Sequence, residues 1–233
     1  MQKDPDEILE QIRGAEKYRR FFIVLGAVVL IFLIAGGGVL YKLKYEDWKM
    51  VWLAKKQENG QTYLYQYYEA KKEIKNSPDN AGAYLSLGIA QQELGDNKRA
   101  EKALLKSFAL NSKNINTINS LANFYLKTKN FPKAEEYYLK ALALEPKNIT
   151  AYQNLVSFYF NDYTEKNREI EKILLRGLSE MPNDQNLLAM LASYYMAVAN
   201  DRGKAIEVYQ RILFLRPSDE LLRLEIERLK EGQ

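Results

Sequence analysis

Histidine and cysteine run most side-chain chemistry at neutral pH, and this 233-residue chain has neither. Without His there is no imidazole acid or base, no Ser-His-Asp triad and no His-ligated metal. Without Cys there is no thiolate nucleophile, no disulfide framework and no Cys-based zinc or iron–sulfur site. Carboxylates and amines remain. The adjacent Glu135 and Glu136 read as exposed helical surface. Gly36-Gly37-Gly38 is no phosphate loop, because it lies inside an apolar run. The expectation is a non-enzyme with no cofactor and no metal. With 34 basic against 30 acidic residues, the net charge of +4 is too even to argue for nucleic acid.

Residues 21–41, FFIVLGAVVLIFLIAGGGVLY, contain no charge, Asn or Gln. At about 1.5 Å per residue this run is roughly 30 Å long, the thickness of a hydrocarbon core. Lys17, Arg19 and Arg20 precede it, and Lys42 and Lys44 follow. Tyr18, Tyr41, Tyr45, Trp48 and Trp52 lie near its ends, as an interfacial belt would. The expectation is one uncleaved transmembrane helix. A cleaved signal fits less well, since the charged leader of residues 1–20 is long. That leader has its own helix start at Asp4-Pro5-Asp6-Glu7 and a small apolar stripe of Ile8, Leu9 and Ile12. Basic residues nearly balance across the span, so orientation rests on the leader's charge, which favours an N-terminus inside.

The remainder repeats itself. Segments 81–114, 115–148, 149–184 and 185–219 align with a period near 34. In the first helix of each segment the recurring positions are Tyr84/Leu87/Gly88, Ile118/Leu121/Ala122/Tyr125, Tyr152/Leu155/Val156/Tyr159 and Leu188/Leu191/Ala192/Tyr195. In the second helix they are Ala100, Ala134, Ile170 and Ala205; Pro146, Pro182 and Pro217 close three segments, with Ser112 in the first. Spacing of i, i+3, i+4 and i+7 is one helical face, with small residues where helices must approach. Pro-x-Asn and Pro-x-Asp end one helix and cap the next. These segments resemble tetratricopeptide repeats.

The resemblance implies an all-α solenoid of helix hairpins, here preceded by the transmembrane helix. The expected order is leader 1–20, transmembrane helix 21–41, membrane-proximal helices 42–80, four repeats over 81–219 and a C-terminal capping helix in 220–233. Residues 47–80 fit either a degenerate fifth repeat, with Leu53-Ala54 aligned to Leu87-Gly88, or a plain helical stalk. Within them, Tyr63/Tyr67 and Tyr65/Tyr68 fall on different helical sectors, one pair suited to packing and the other to an exposed surface.

The resemblance also implies which residues face the inner groove: positions two, five, nine and twelve of each first helix. Here these give Leu85 and Ile89, then Asn116, Asn119 and Asn123, then Gln153, Ser157 and Phe160, then Asn186 and Ser193. Amides in the middle offer donors and acceptors to an extended backbone, and the ends are apolar. The lysines of the family's carboxylate clamp are missing, with Leu85 and Ile89 at two of those positions. The implied function is non-catalytic: a membrane-anchored protein that mediates protein–protein interaction or complex assembly, with a peptide segment or helix as partner. The alternative is a permanent structural subunit of a larger membrane complex. Neither nucleic acid nor a small-molecule substrate is expected. The architecture resembles bacterial inner-membrane repeat proteins and also mitochondrial import receptors, the latter disfavoured by the absent clamp; with the N-terminus inside, the repeat domain is expected on the periplasmic side.

Overall fold

In a computed structural model of the protein, residues 38–56 and 58–232 are described. They form eleven α-helices and no strand. The helices are α1 (Gly38–Ala54), α2 (Gly60–Asn76), α3 (Ala81–Glu93), α4 (Asn97–Leu110), α5 (Ile115–Lys127) and α6 (Phe131–Leu144). They continue as α7 (Ile149–Asn161), α8 (Glu169–Glu180), α9 (Gln185–Ala197), α10 (Arg202–Leu215) and α11 (Glu220–Glu231). The chain divides into two compact units between Leu64 and Tyr65. In the first, Met50, Ala54 and Gly60 are buried, Tyr45, Trp48 and Trp52 are exposed, and the Lys56 ammonium lies 3.6 Å from the Trp52 ring centre. In α1 the helix stops at Ala54 itself, whereas in α3 five residues follow Gly88, so the aligned pair occupies a different place in its helix.

The expected inner-membrane localisation is corrected here. Among the described residues no helix is long and apolar enough to cross a membrane. The expected span overlaps the described chain only at Gly38–Tyr41, the first turn of α1; residues 21–37 and the leader lie outside the described residues. From there α1 runs through Lys42, Lys44, Glu46, Asp47 and Lys49. Each charge would cost about 2.5–3.5 kcal/mol at a bilayer centre. With no membrane-crossing helix among the described residues, nothing places the repeats on the periplasmic side.

In the second unit the helices alternate between two roles. Each packs on its chain neighbour, and the first helices of adjoining repeats also touch, α3 with α5 and α7 with α9. One continuous apolar core results, from Ala100 and Leu104 through Leu121, Tyr138, Tyr152, Leu155, Phe158 and Leu174 to Leu191 and Ile212. The small residues stand where helices press closest. A Cβ on Gly88 would come 2.7 Å from Leu104, and one on Gly177 would come 2.9 Å from both Tyr152 and Leu187. The caps recur as the spacing requires. Asn80, Asn114, Asn148, Asp184 and Asp219 each accept a backbone N–H three residues on, at 3.0–3.3 Å. Near the start of this unit Tyr67 is buried, while Tyr65 and Tyr68 are exposed.

A polar clip joins each repeat to the next. The Tyr125, Tyr159 and Tyr195 hydroxyls donate to Glu101, Glu135 and Glu171 of the preceding repeat at 2.8, 2.7 and 2.8 Å. Lys133, Lys166 and Lys204 lie 3.4, 3.3 and 3.1 Å from the same carboxylates. Within the first repeat, buried Ser107 donates to the Ala81 carbonyl at 2.8 Å, and its hydroxyl also bonds at 2.9 Å to that of Thr117 in the second.

The turns inside the repeats differ. Gly95 and Lys129 occupy matching places with φ of 87° and 59°, and Asn200 has φ 51°. The third repeat uses a 3-10 turn at Thr164–Lys166 instead, accommodating its two additional residues. A lysine in left-handed backbone is strained.

Two outcomes follow from these contacts. Lys129→Gly should raise unfolding free energy by about 0.5–1 kcal/mol, read by urea denaturation; a loss would mean that the Lys129 side chain holds the turn. Burial foremost, then the Glu bond, raises the pKa values of Tyr125, Tyr159 and Tyr195 above the ordinary 10.0. A raised value contributes stability that is complete below pH 10 and lost as pH climbs past it. Thermal stability should therefore be flat to about pH 9 and fall above about pH 10. Replacing the three tyrosines by Phe should make that alkaline fall shallower, and an unchanged slope would discount the clip.

Candidate functional site

The first helices place their second, fifth, ninth and twelfth residues outward, opposite the faces that bury Leu121, Leu155 and Leu191. Between α7 and α9 these residues frame a cavity of about 370 Å³. Gln153, Ser157 and Phe160 enter it from α7, and Ala189 and Ser193 from α9. Its apolar wall is completed by Val156, Ile170, Met190 and Ala197, and its polar edge by Asn161 and the buried Tyr194. Asn161 donates to the Ser157 hydroxyl at 3.0 Å, so these two edge groups are mutually ordered. Burial raises the Tyr194 pKa, which keeps its hydroxyl neutral through the physiological range. Phe160 is 46% exposed, a large ring left open to solvent at the mouth.

A second, smaller cavity of about 270 Å³ lies between α3 and α5. Ile89 and Gln92 face Ser120, Asn123 and Leu126 there, and Glu93 and Lys127 form an ion pair of 2.6 Å at its edge. Leu85 is half-buried against the core rather than in either cavity. Asn116 and Asn186 are exposed near the starts of α5 and α9, and Asn119 is half-buried; none of these three lines a cavity. The structure thus gathers Gln153, Ser157, Phe160 and Ser193 at one site, and Ile89 and Asn123 at another.

One amide has a structural duty that its spacing did not reveal. Asn123 accepts from the Tyr138 hydroxyl at 2.8 Å. Burial pushes Tyr138 up to about 12, so that hydroxyl needs an acceptor in a setting that disfavours its anion. Met190, Val156 and Ala197 were missed because they are not at the four inner positions. They sit one to four residues from Ala189, Ser157 and Ser193, so a wider count along the same face would have included them. Ile170 was visible only as a departure from alanine. Among the described residues no group of three or more acidic side chains could hold a metal ion.

Tetratricopeptide repeat family profiles match residues 81–114 and 115–148. The chain carries tetratricopeptide repeats. No curated protein sequence matches it. Among solved structures, the crystal structure of MamA is similar with 19% identity and a TM-score of 0.50, over 72% of this chain and 90% of that one. A tetratricopeptide repeat protein from Parabacteroides merdae gives 16% identity and 0.52, over 78% and 74%. A structure of Naa15/Naa10 bound to HypK-THB gives 16% and 0.53, over 71% of this chain but 25% of that one. At these identities the likeness is one of fold: an all-α repeat solenoid. Repeat proteins of this kind bind protein or peptide partners and are generally non-catalytic scaffolds.

The amide roles can be separated by stability. Asn123→Ala should lower the unfolding free energy by about 1–3 kcal/mol, because it orphans the Tyr138 hydroxyl. Asn116→Ala, at an exposed site, should stay within about 0.5 kcal/mol of the parent. Equal losses in chemical denaturation would contradict the assignment.

Proposed function

We propose that the repeat array is a non-catalytic binding module that captures a protein segment along the inner faces of α3, α5, α7 and α9. The observation that carries this reading is the 370 Å³ cavity between α7 and α9. It combines an apolar wall with Gln153, Ser157, Asn161 and Ser193, the mixture that holds a side chain while addressing a backbone. The Naa15/Naa10 structure, similar in fold over 71% of this chain, is one bound to HypK-THB. The proposed binding residues are Leu85, Ile89, Asn116, Asn119, Asn123, Gln153, Ser157, Phe160, Asn186 and Ser193.

A permanent subunit of a larger complex is the second reading. The exposed Phe214 on α10 favours it, since an 84% exposed phenylalanine outside the groove suits a stable contact elsewhere. Site-specific photocrosslinking separates the two. A benzophenone side chain introduced at Ser157 or Ser193 of the full chain should capture protein in cells, and one at the exposed Ser179 should not. Capture from Ser179 and Phe214 with nothing from the groove would overturn the first reading in favour of the second.

A further inference from the structure

One hydroxyl in the α7–α9 cavity has no duty in the fold. The tenth residue of each first helix is buried: Ala90, Phe124, Phe158 and Tyr194. Phe124 and Phe158 show that a ring without a polar atom fills this place. The fourth repeat adds a hydroxyl to it. Tyr194 is only 7% exposed, and it lines the cavity from α9. A hydroxyl withdrawn from water needs a partner in place of the water it gave up. Five other buried tyrosines have one: Tyr125, Tyr138, Tyr152, Tyr159 and Tyr195 each donate to an acceptor at 2.7–2.9 Å. Among the described residues the Tyr194 hydroxyl has none. Glu171, the charge that acts on it most strongly, is held by Tyr195 and Lys204 instead. Buried Tyr137 also lacks a partner, but it lines neither cavity.

The rest of the cavity says what must accompany the missing partner. None of its eleven lining residues is charged. A charged occupant would lose hydration there without finding a counter-charge. Val156, Ile170, Met190 and Ala197 offer contact to an apolar body. At about 370 Å³ the cavity is near the lower end of small-ligand pockets, roughly 300–1,000 Å³, so it has room for one ring and not for a helix. Gln153, Ser157, Asn161 and Ser193 are exposed around it, where a backbone can reach them.

Resting on the proposed groove function, we infer that the α7–α9 cavity is a side-chain pocket for a tyrosine of an uncharged peptide segment, and that the Tyr194 hydroxyl selects it. The incoming ring covers the apolar wall, and its phenol bonds to Tyr194. A phenol both donates and accepts, so it satisfies Tyr194 in either sense. A phenylalanine in the same place would bury the Tyr194 hydroxyl without a partner, which is the costly arrangement. A serine or threonine would leave the apolar wall in water, and a methionine thioether accepts only weakly.

The test pans displayed random dodecapeptides on the full chain, on Tyr194→Phe and on Ala189→Trp, which fills the cavity from an exposed place on α9. Peptides won on the parent should carry Tyr among uncharged residues, and Ala189→Trp should not retain them. The best of these and its Tyr→Phe form are then compared by fluorescence anisotropy. The parent should prefer the Tyr form about fivefold or more, and Tyr194→Phe should lose that preference. The thermal midpoint of Tyr194→Phe should match or exceed the parent's, because Phe serves at the same place in α5 and α7. A lower midpoint would give the hydroxyl a structural duty and overturn the inference. So would an absence of winners, winners without Tyr, retention by Ala189→Trp, or a preference that persists in Tyr194→Phe. If crosslinking from Ser157 and Ser193 still captures protein in those cases, the groove reading stands and only the tyrosine pocket falls. If that capture fails as well, both fall.

Discussion

A two-helix hairpin has more apolar surface than its own two helices can hide. Every other feature of the repeat unit answers that constraint. Leu121, Tyr152, Leu155 and Leu191 are fully or nearly fully buried in a core that runs across neighbouring hairpins. Stacking by apolar surface alone leaves the angle between hairpins loosely set, since the hydrophobic effect has no direction. The Tyr–Glu–Lys clips supply direction. The same 24-residue separation recurs in Tyr125–Glu101, Tyr159–Glu135 and Tyr195–Glu171. Each links a first helix to the second helix before it, so each interface is referenced to the same three atoms. The lysines contribute little energy, being solvent-screened, but they keep each carboxylate oriented toward its tyrosine.

The groove is a consequence of that stacking rather than a separate invention. When one helix face is committed to the preceding hairpin and another to the partner helix, the remaining stripe of each first helix lines up along one side. Asn123 shows the cost of sharing a stripe between two duties. It stands in the α3–α5 cavity and also receives the Tyr138 hydroxyl. A ligand bonding to it must leave that acceptor bond intact or replace it. Ser157 and Ser193 carry no comparable burden, and the larger cavity opens where they stand.

The periodic part of this fold was legible in the sequence because it is local. Caps, turns and small residues act over three or four positions, and a period of 34 puts them in register without reference to tertiary structure. Asn80, Asn114, Asn148, Asp184 and Asp219 cap as their spacing requires. What escaped was non-local. Whether Asn119 or Asn123 reaches a cavity depends on how far α3 stands from α5. Whether Met190 joins the wall depends on where Ile170 of α8 fills behind it. The apolar run at 21–41 had length and composition in its favour, but the described helix at its end is charged and 17 residues long. Composition gives a segment's preference and not the helix that holds it.

The allocation of residues on α11 bears on what kind of surface the groove is. In a folded chain, an exposed leucine in isolation needs no explanation. Two leucines one helical turn apart, on a 12-residue helix whose other exposed positions are mostly charged, do need one. The helix could have exchanged them with Arg223 or Glu227 at no cost to its packing on α10, because none of these four residues is buried there. Their arrangement therefore reflects which direction each faces. Arg223, Glu227 and Lys230 stand where Leu188, Ala192 and Tyr195 are buried in α9, so charge lies where a partner helix would otherwise pack. A division of charge also runs through the four repeats. Lysines, arginines and glutamates mark the second helices and the clips, and the inner positions from Gly82 to Met196 hold none. On α11 the pattern changes: Leu221 and Leu224 match the second and fifth positions, but Arg228 and Glu231 match the ninth and twelfth, so the uncharged stripe ends with the fourth repeat.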